Sequence, residues 1–353
     1  MSRLAAPGAI VCIPARDEEE RLPALLASLA AQDGFGPEAQ LGIVVLANGC
    51  SDATASRAQA FAAERLAIRV IEAHFAPTEA HVGTARRRAL DEGAAWLEAE
   101  GLADGILLST DADATLPPNW AQANVAALAK AEIVGGALVI AADEAPGLAA
   151  LHEAVARYWR AVRAIEDQLD PPAHDPAPRH GDHTGASLAL RVSTYRDVGG
   201  LPALPRGEDN ALVTRIVQAG GRLRHDPAIH VAVSDRTTGR ASDGMATDMA
   251  RRLAVMRGED AYRLPHPDHW RDFVGRRAAL RAAWHRGPDA ALAALRENGL
   301  DADAIAAVDI ATCPNDIAFV ERASARLVLP EPDHLPVEEA LALFDPPARR
   351  GAA

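Results

Sequence analysis

Two carboxylates separated by one residue follow an apolar run in the first third of the chain. Asp111 and Asp113 lie in GILLSTDADATLPPNW, residues 105–120, directly after a segment with the composition of a buried strand. In an extended segment, side chains at positions i and i+2 point to the same side. Two such carboxylates can hold a hard divalent cation together with phosphate oxygens of a ligand. A solvated acidic turn has the same spacing, so the pair needs support from other segments.

Other cation and phosphate sites are excluded by their sequence requirements. An EF-hand loop starting at Asp111 needs glycine at its sixth position and glutamate at its twelfth, where the chain has Leu116 and Gln122. The chain contains no G-x-x-x-x-G-K-[ST] phosphate loop and no G-x-G-x-x-G after a predicted strand. We therefore expect neither an EF-hand nor a P-loop nor a Rossmann dinucleotide site.

Apolar runs that alternate with amphipathic segments predict the elements around this pair. Strand-like runs occupy residues 9–14, 41–47, 68–73, 105–110 and 132–141, and helical spacing occurs at 22–29, 82–97 and 117–130. Strands that alternate with helices are typical of a mostly parallel sheet covered on both faces. In such a sheet, ligands bind outside the carboxyl ends of the strands, where the two carboxylates are expected to lie.

The middle of the chain departs from this alternation. A long amphipathic helix is predicted over residues 148–169, followed by DPPAHDPAPRHGDH at 170–183. Proline, aspartate and histidine at this density predict an irregular segment, which we interpret as a mobile loop facing the acceptor. A strand is predicted over 184–191, and a last strand pair over 223–234.

Charge and composition restrict the partners and the location. The formal net charge of −13 is unfavourable for binding nucleic acid, whose phosphates attract basic surfaces. Three scattered cysteines indicate neither a disulfide framework nor a zinc site. The N-terminus lacks the features of a signal peptide, and no apolar run has the length of a transmembrane segment. We expect a cytoplasmic protein, and leave peripheral contact with a membrane open.

From about residue 240 the pattern becomes helical and rich in arginine and alanine, with proline-rich breaks. We therefore predict a first domain over residues 1–240 and a helical C-terminal extension over 241–353.

Four segments, in order, resemble the family 2 glycosyltransferases of the GT-A fold. They are PARDEEERLPALLASL, ANGCSDAT, STDADATLPPNW and GASLALRVSTYRDVGGLPALPRGEDNALVTRIVQAGGR, and together they extend over about residues 8–240. The resemblance implies an α/β, Rossmann-like fold with a mostly parallel sheet flanked by helices. It also implies a nucleotide-sugar donor, a divalent metal (Mg²⁺ or Mn²⁺), and an acceptor hydroxyl on a small molecule or a lipid-linked one.

The resemblance also implies which residues bind the nucleotide-sugar. They are Pro14, Ala15, Arg16, Asp17, Glu18, Asn48, Asp52, Arg86, Asp111 and Ala112. Two further arginines, Arg236 and Arg240, lie in a loop rich in glycine and serine, where guanidinium groups can clamp a leaving diphosphate. For Arg86 a solvated helix face is the alternative, and for the other two an ordinary basic loop.

The implied metal ligands are Asp113 and Asp111, with His230 near the end of a strand as a further ligand. His225 competes for that role, and a simple hydrogen-bonded histidine is the alternative to both.

The implied catalytic pair is Glu208 and Asp209 in RGED, and the first turn of a helix favours an ionised base at Asp209. The second RGED, with Glu259 and Asp260, lacks the surrounding pattern, so we interpret it as surface helix.

These features predict transfer of a single sugar from a nucleoside-diphosphate sugar to an acceptor hydroxyl, metal-dependent and inverting. The membrane-embedded synthases of the family carry spans and a Gln-x-x-Arg-Trp motif, neither of which occurs here. Three alternatives remain at this point. They are a retaining GT-A enzyme of the glycosylglycerate-synthase kind, a sugar nucleotidyltransferase, and a nucleotide-binding module without catalysis.

Overall fold

The strands and helices are defined here from a computed structural model, which describes Leu4 and residues 8–140, 146–233 and 245–344. The strands are β1 (Ala9–Ala15), β2 (Leu41–Asn48), β3 (Leu66–Ala73), β4 (Ile106–Ser109), β5 (Ile133–Ile140), β6 (Leu188–Arg191), β7 (Leu223–Val233), β8 (Arg263–Pro265) and β9 (His334–Pro336). The helices of the first part are α1 (Leu22–Ala30), α2 (Thr54–Ala60), α3 (Val82–Ala99), α4 (Trp120–Ala127), α5 (Pro146–Leu169), α6 (Val192–Asp197) and α7 (Glu208–Gln218). Those that follow are α8 (Met245–Met256), α9 (Pro267–His285), α10 (Pro288–Glu297), α11 (Ala302–Val308), α12 (Asp316–Ser324) and α13 (Val337–Ala342), with a 3₁₀ turn at Ile310–Thr312.

Seven strands form one sheet in the order β3-β2-β1-β4-β6-β5-β7. β6 runs antiparallel to both of its neighbours, and the other six strands run in one direction. The carboxyl ends of β1, β2 and β4 therefore lie at the same edge of the sheet. Because β6 runs the opposite way, its N-terminal end also lies there, with Leu188 paired to Ser109.

Both faces of this sheet are covered by helices. On one face, Val11 and Ile13 of β1 belong to a core that includes Leu25 of α1 and Trp120 of α4. On the other face, residues of β1 such as Ile10 belong to a core with α3 and α7. Burial on both faces explains why the central strands are continuous apolar runs. The predicted mostly parallel α/β fold with a helical C-terminal part is confirmed.

The predicted last strand pair is wrong, because residues 223–233 form the single edge strand β7. Its pairing with β5 is irregular between Gly135 and Ala137. The corresponding part of β7 lies between His225 and His230 and contains Pro227, which has no amide hydrogen to donate to β5. The side chain of Asp226 accepts from the Ala228 amide at 3.0 Å. The strand therefore resumes after the irregularity instead of reversing.

The proline-rich segment at 170–183 is irregular, as its composition predicts, and charged side chains bind it to α5 and β7. Its mobility stays a prediction. The side chain of Arg179 is 3% exposed and forms ion pairs with Glu166 and Asp167 of α5. Asp175 accepts from Arg224 of β7 at 2.8 Å. Irregular backbone is held here by charged side chains, which composition alone does not reveal.

The C-terminal helices form a separate core that abuts the first part. Leu280 of α9, Leu295 of α10 and Phe319 of α12 belong to this core. Arg281 of α9 joins it to the first part by binding Asp170, with Nε and Oδ1 2.7 Å apart. In the parts of the chain that the structure describes, no helix has the length and apolarity needed to cross a membrane. The division at residue 240 falls outside the described residues and stays a prediction.

Candidate active site

The loops that follow β1 and β2 are bound to each other at the carboxyl edge of the sheet. Asp17 accepts from the Ser51 amide at 2.6 Å and has a φ of 51°, which turns the chain toward the second loop. The Glu18 amide donates to Thr54 Oγ1 at 2.7 Å, and the Glu19 amide donates to Asp52 at 3.0 Å. Reciprocal bonds of this kind form one joined surface from the two predicted nucleotide-binding loops.

The other residues predicted for these loops differ in exposure. Ala15 is buried, Pro14 is half-buried, and the exposed Arg16 donates to the carbonyl of Ala80 at 3.3 Å. Asn48 is the last residue of β2 and is buried.

Asp52 holds the start of α2. Burial opposes its charge, but hydrogen bonds from Thr54 and Glu19 outweigh this cost and lower the pKa of its carboxyl group. It is therefore ionised at neutral pH.

Arg86 connects three separate parts of the site. Its side chain is 4% exposed and lies on α3 below the carboxyl end of β4. The guanidinium donates four hydrogen bonds: to Glu208 Oε1 at 3.0 Å, and to Ser109 Oγ, the Gly185 carbonyl and Asp111 Oδ1 at 2.8 Å each. Burial opposes the charge, but the surrounding carboxylates outweigh it and raise the pKa of Arg86. The alternative for Arg86, a solvated helix face, is therefore not what the structure shows.

The Asp-Ala-Asp motif directs both carboxylates away from the core. Ala112 and Ala114 are buried in the core, whereas Asp111 and Asp113 are half-buried. The segment is a turn and not an extension of β4, because the Ala114 amide donates to the Asp111 carbonyl at 3.2 Å. The alternation predicted from strand geometry is nevertheless present.

The acidic pair at the start of α7 divides into a buried and an accessible member. Glu208 is 4% exposed and is held by Arg86. Asp209 is half-buried, and its Oδ2 accepts from the Gly185 amide at 2.7 Å. Gly207 precedes the helix in the left-handed conformation, with φ 66°, which turns the chain into the helix at this point. The two neighbouring carboxylates therefore have different surroundings.

The remaining predicted residues lie at the margin of this arrangement. His230 is exposed in β7, two residues before Ala232, which bridges to Thr115 just after the Asp-Ala-Asp motif. Arg236 and Arg240 lie outside the described residues.

The second RGED is exposed, as predicted, but it is a turn after α8 and not a helix. The Asp260 carboxylate is exposed and accepts a hydrogen bond from the neighbouring Ala261 amide at 2.7 Å.

Preassembled cation ligands are few in the described part of the chain. Among the described residues, one group of three acidic, histidine or cysteine side chains has its potential ligand atoms within 4.8 Å of one another. This group consists of Asp17, Cys50 and Asp52. Asp111, Asp113 and His230 do not meet this spacing. Magnesium-type sites commonly use one or two carboxylates and complete their shell with water and substrate phosphates, so the two aspartates fit that donor set.

Sequence reasoning missed two residues that complete the site, Ser109 and Gly185. The Ser109 hydroxyl donates to the Gly185 carbonyl at 2.8 Å. A side chain on Gly185 would put its Cβ 2.3 Å from the guanidinium carbon of Arg86, so it would have to displace this group. Its sequence signal is the glycine in HTGAS, directly before a predicted strand, but its partner is 99 residues away.

Three solved structures are similar to this chain at low sequence identity. S. aureus TarS 1-349 in complex with UDP-GlcNAc is 14% identical with a TM-score of 0.47, over 90% of each chain. Mannosyltransferase PcManGT from Pyrobaculum calidifontis, in complex with GDP-Man and Mn²⁺, is 20% identical with a TM-score of 0.46, over 90% of this chain and 85% of that one. Glucosyl-3-phosphoglycerate synthase from Mycobacterium tuberculosis, in complex with Mn²⁺, UDP-Glc and phosphoglyceric acid, is 19% identical with a TM-score of 0.41, over 72% and 83%.

No curated protein matches the sequence. The family model described as glycosyl transferase family 2 matches residues 10–173, a segment that includes the loops after β1, β2 and β4 and ends before Glu208 and Asp209. This match bears out the predicted resemblance and the glycosyltransferase class for residues 10–173, which are somewhat less than half of the chain.

Proposed function

We propose that the protein transfers a single sugar from a nucleoside-diphosphate sugar to an acceptor hydroxyl, with a divalent metal and with inversion at the anomeric carbon. The observation that carries this proposal is the hydrogen-bonded network of Arg86. It joins the Asp-Ala-Asp turn after β4 to the acidic start of α7, at the edge where the loops after β1 and β2 also lie. A donor bound on those loops has its diphosphate near Asp111 and its sugar toward Asp209.

The metal is assigned to Asp113, assisted by Asp111. Arg86 holds one oxygen of Asp111, which fixes the orientation of that carboxylate. Asp113, two residues further along the turn, is also half-buried. These two carboxylates would hold a divalent cation, which would supply positive charge for a leaving diphosphate. Buried alanines on either side of Asp113 keep the turn against the core, so the two carboxylates are presented by a rigid support.

The base is assigned to Asp209 and not to Glu208. Glu208 is buried in its ion pair with Arg86, and a proton acceptor has to reach the acceptor hydroxyl. Asp209 is more accessible, and the Gly185 amide holds one of its oxygens. Its place in the first turn of α7 favours the ionised form that a base requires. Glu208 instead positions Arg86.

Donor binding tests the first part of the proposal. Thermal unfolding is measured with UDP-GlcNAc, UDP-Glc and GDP-Man, each with and without Mn²⁺. A bound donor raises Tm by mass action, and we expect the rise to require the metal. Asp113→Ala is expected to remove the metal-dependent rise, while Asp260→Ala, in the exposed RGED, keeps it. A metal-dependent rise that survives Asp113→Ala removes this residue from the metal site.

The products test the reaction class. Transfer releases a nucleoside diphosphate, whereas a sugar nucleotidyltransferase releases pyrophosphate. NMR of the anomeric proton in the product distinguishes inversion from retention. Pyrophosphate as the product overturns the proposed reaction, and a retained anomeric configuration overturns the inverting mechanism.

A further inference from the structure

A chain of side chains outside the assigned site leads to the base. Asp175, in the segment between α5 and β6, accepts from the His225 amide at 2.8 Å, and its other oxygen lies 2.7 Å from His225 Nδ1. His225 Nε2 lies 3.1 Å from Nδ1 of His183. Two residues further along the chain, the Gly185 amide binds Asp209 at 2.7 Å.

The chemistry of the partners assigns the protons in this chain. Burial opposes the charge of Asp175, but hydrogen bonds from His225 and Arg224 outweigh it and lower its pKa to about 2. An ionised carboxylate only accepts, so Nδ1 of His225 donates to it. In a neutral His225 the other ring nitrogen is then an acceptor, and His183 donates to it. Burial and the neighbouring ring lower the pKa of His183, which keeps it neutral at pH 7.

The surroundings leave this segment little freedom. Gly135 of β5 lies so close that a Cβ there would approach the Asp182 carbonyl oxygen to 2.3 Å. Asp182 also accepts from the Leu138 amide of β5 at 3.0 Å. The ring of His180 lies edge-on to that of His225, with centroids 5.5 Å apart. Asp175 is 5% exposed and His225 8% exposed, so solvent competes little for these hydrogen bonds.

We propose that His225 is a positioning residue for the base Asp209, acting through the backbone of residues 183–185. The inference rests on the proposed function only in naming Asp209 the base. Asp175 orients His225, which holds His183 against β7. The Gly185 amide is thereby placed where it binds Oδ2 of Asp209. The other oxygen, Oδ1, accepts from the Asn210 amide at 2.8 Å and has a second lone pair for the acceptor hydroxyl.

Amide hydrogen exchange tests the positioning without any assay of activity. In His225→Ala we expect exchange at the Gly185 amide to be at least about 10-fold faster than in the wild type, because a buried hydrogen bond opens more often. His285→Ala, an exposed histidine of α9, is the matched control and leaves this exchange unchanged. His225→Asn keeps a donor for Asp175 but does not reach His183, and serves if the alanine variant does not fold. Unchanged exchange at Gly185 in the folded variant overturns the inference.

A double-mutant cycle tests whether the effect reaches Asp209. With the donors and Mn²⁺ named above, release of nucleoside diphosphate is measured for His225→Ala, Asp209→Asn and the double variant. We expect His225→Ala to lower kcat by about 10- to 100-fold with little change in donor Kd, since misplacing a catalytic group by about 1 Å has effects of this size. In the Asp209→Asn background the same change lowers kcat by less than about 2-fold. Equal losses in both backgrounds indicate a general structural role and overturn the inference.

The two proposals fail in different ways. If Asp209→Asn keeps wild-type turnover, the assignment of the base is wrong, and the exchange result at Gly185 still reports on the positioning. If Asp209→Asn loses turnover while His225→Ala keeps it, the assignment of the base stands and the positioning role is overturned.

Discussion

Arg86 and Glu208 form an ion pair with 3.0 Å between Nε and Oε1, and their side chains are 4% and 5% exposed. The two residues are 122 positions apart in the chain. Removing two charges from water costs free energy, which is offset by their mutual attraction and by further hydrogen bonds to each group. The other guanidinium nitrogens meet this need by binding Ser109, Gly185 and Asp111. The pair is therefore the contact through which the first part of the site depends on α7.

Removing one member of this pair is expected to be strongly destabilising. Arg86→Met leaves Glu208 buried without its partner, which costs about 3–5 kcal/mol in the free energy of unfolding. Arg222→Met is the matched control, because Arg222 also binds one glutamate, Glu132, but the two side chains are 45% and 36% exposed. That pair contributes about 0–1 kcal/mol. Urea unfolding of both variants measures the difference, and equal losses would show that burial of the first pair carries no special cost.

The close approach at Gly185 predicts a second effect. In Gly185→Ala the new Cβ lies 2.3 Å from the Arg86 guanidinium carbon, and four hydrogen bonds prevent this side chain from moving aside. Overpacking of this kind costs about 1–3 kcal/mol. Gly275→Ala, within α9, meets no heavy atom within 4 Å and is expected to stabilise the protein by about 0.5–1 kcal/mol. Opposite signs of the two changes in urea unfolding are the expected result, and a stable Gly185→Ala contradicts it.

The sequence predicts the parts of this site that depend on local pattern. β1 and β2 are buried on both faces, so their apolar runs are visible without the fold. Asp111 follows such a run, and the carboxyl end of a parallel strand is a binding position in open sheets.

Contacts between distant parts of the chain explain where the prediction fails. Residues 184–187 were expected to be strand, but the Gly185 carbonyl accepts from two side chains instead of a neighbouring strand. The helix predicted from residue 117 begins at Trp120, because the Pro117 and Pro118 carbonyls accept from Gln32 and Asp33 near the end of α1. Neither partner is encoded in the local spacing.

The histidines near β7 predict a loss of stability on mild acidification. Burial, with a contribution from His225, lowers the pKa of His180 to about 4 from an unfolded value of 6.5. Well above pH 6.5 the ring is neutral in both states. Between pH 6.5 and 4 the unfolded chain binds a proton that the folded protein does not, so stability falls as pH falls.

The free energy of unfolding is compared at pH 7 and pH 5, because most carboxyl groups stay ionised over this range. His180→Asn keeps an acceptor for the Asp182 amide, which the ring now binds at 3.0 Å, and has no imidazole to titrate. We expect the variant to lose less stability than the wild type between these two pH values. His285→Asn, at an exposed position, should behave as the wild type does. A wild-type-like pH dependence in His180→Asn contradicts the assigned shift.

The two RGED sequences provide a matched test of the base. Asp209→Asn keeps the size of the side chain and an oxygen for the Gly185 amide, but it replaces the oxygen that accepts from Asn210 and removes the charge that accepts a proton. We expect kcat to fall by about two to four orders of magnitude, the usual contribution of a positioned general base. Donor Kd should change little, because the loops after β1 and β2 and the Asp-Ala-Asp turn bind the donor.

Asp260→Asn makes the same chemical change in an exposed turn and is expected to keep nearly full activity. A role for Asp209 limited to the N-terminus of α7 would cost only about 0.3–1 kcal/mol of stability and leave turnover intact. Measuring kcat, donor Kd and the free energy of unfolding for both variants separates the two roles. Comparable turnover in the two variants removes Asp209 from the chemistry, whereas a loss confined to kcat of Asp209→Asn establishes it as the base.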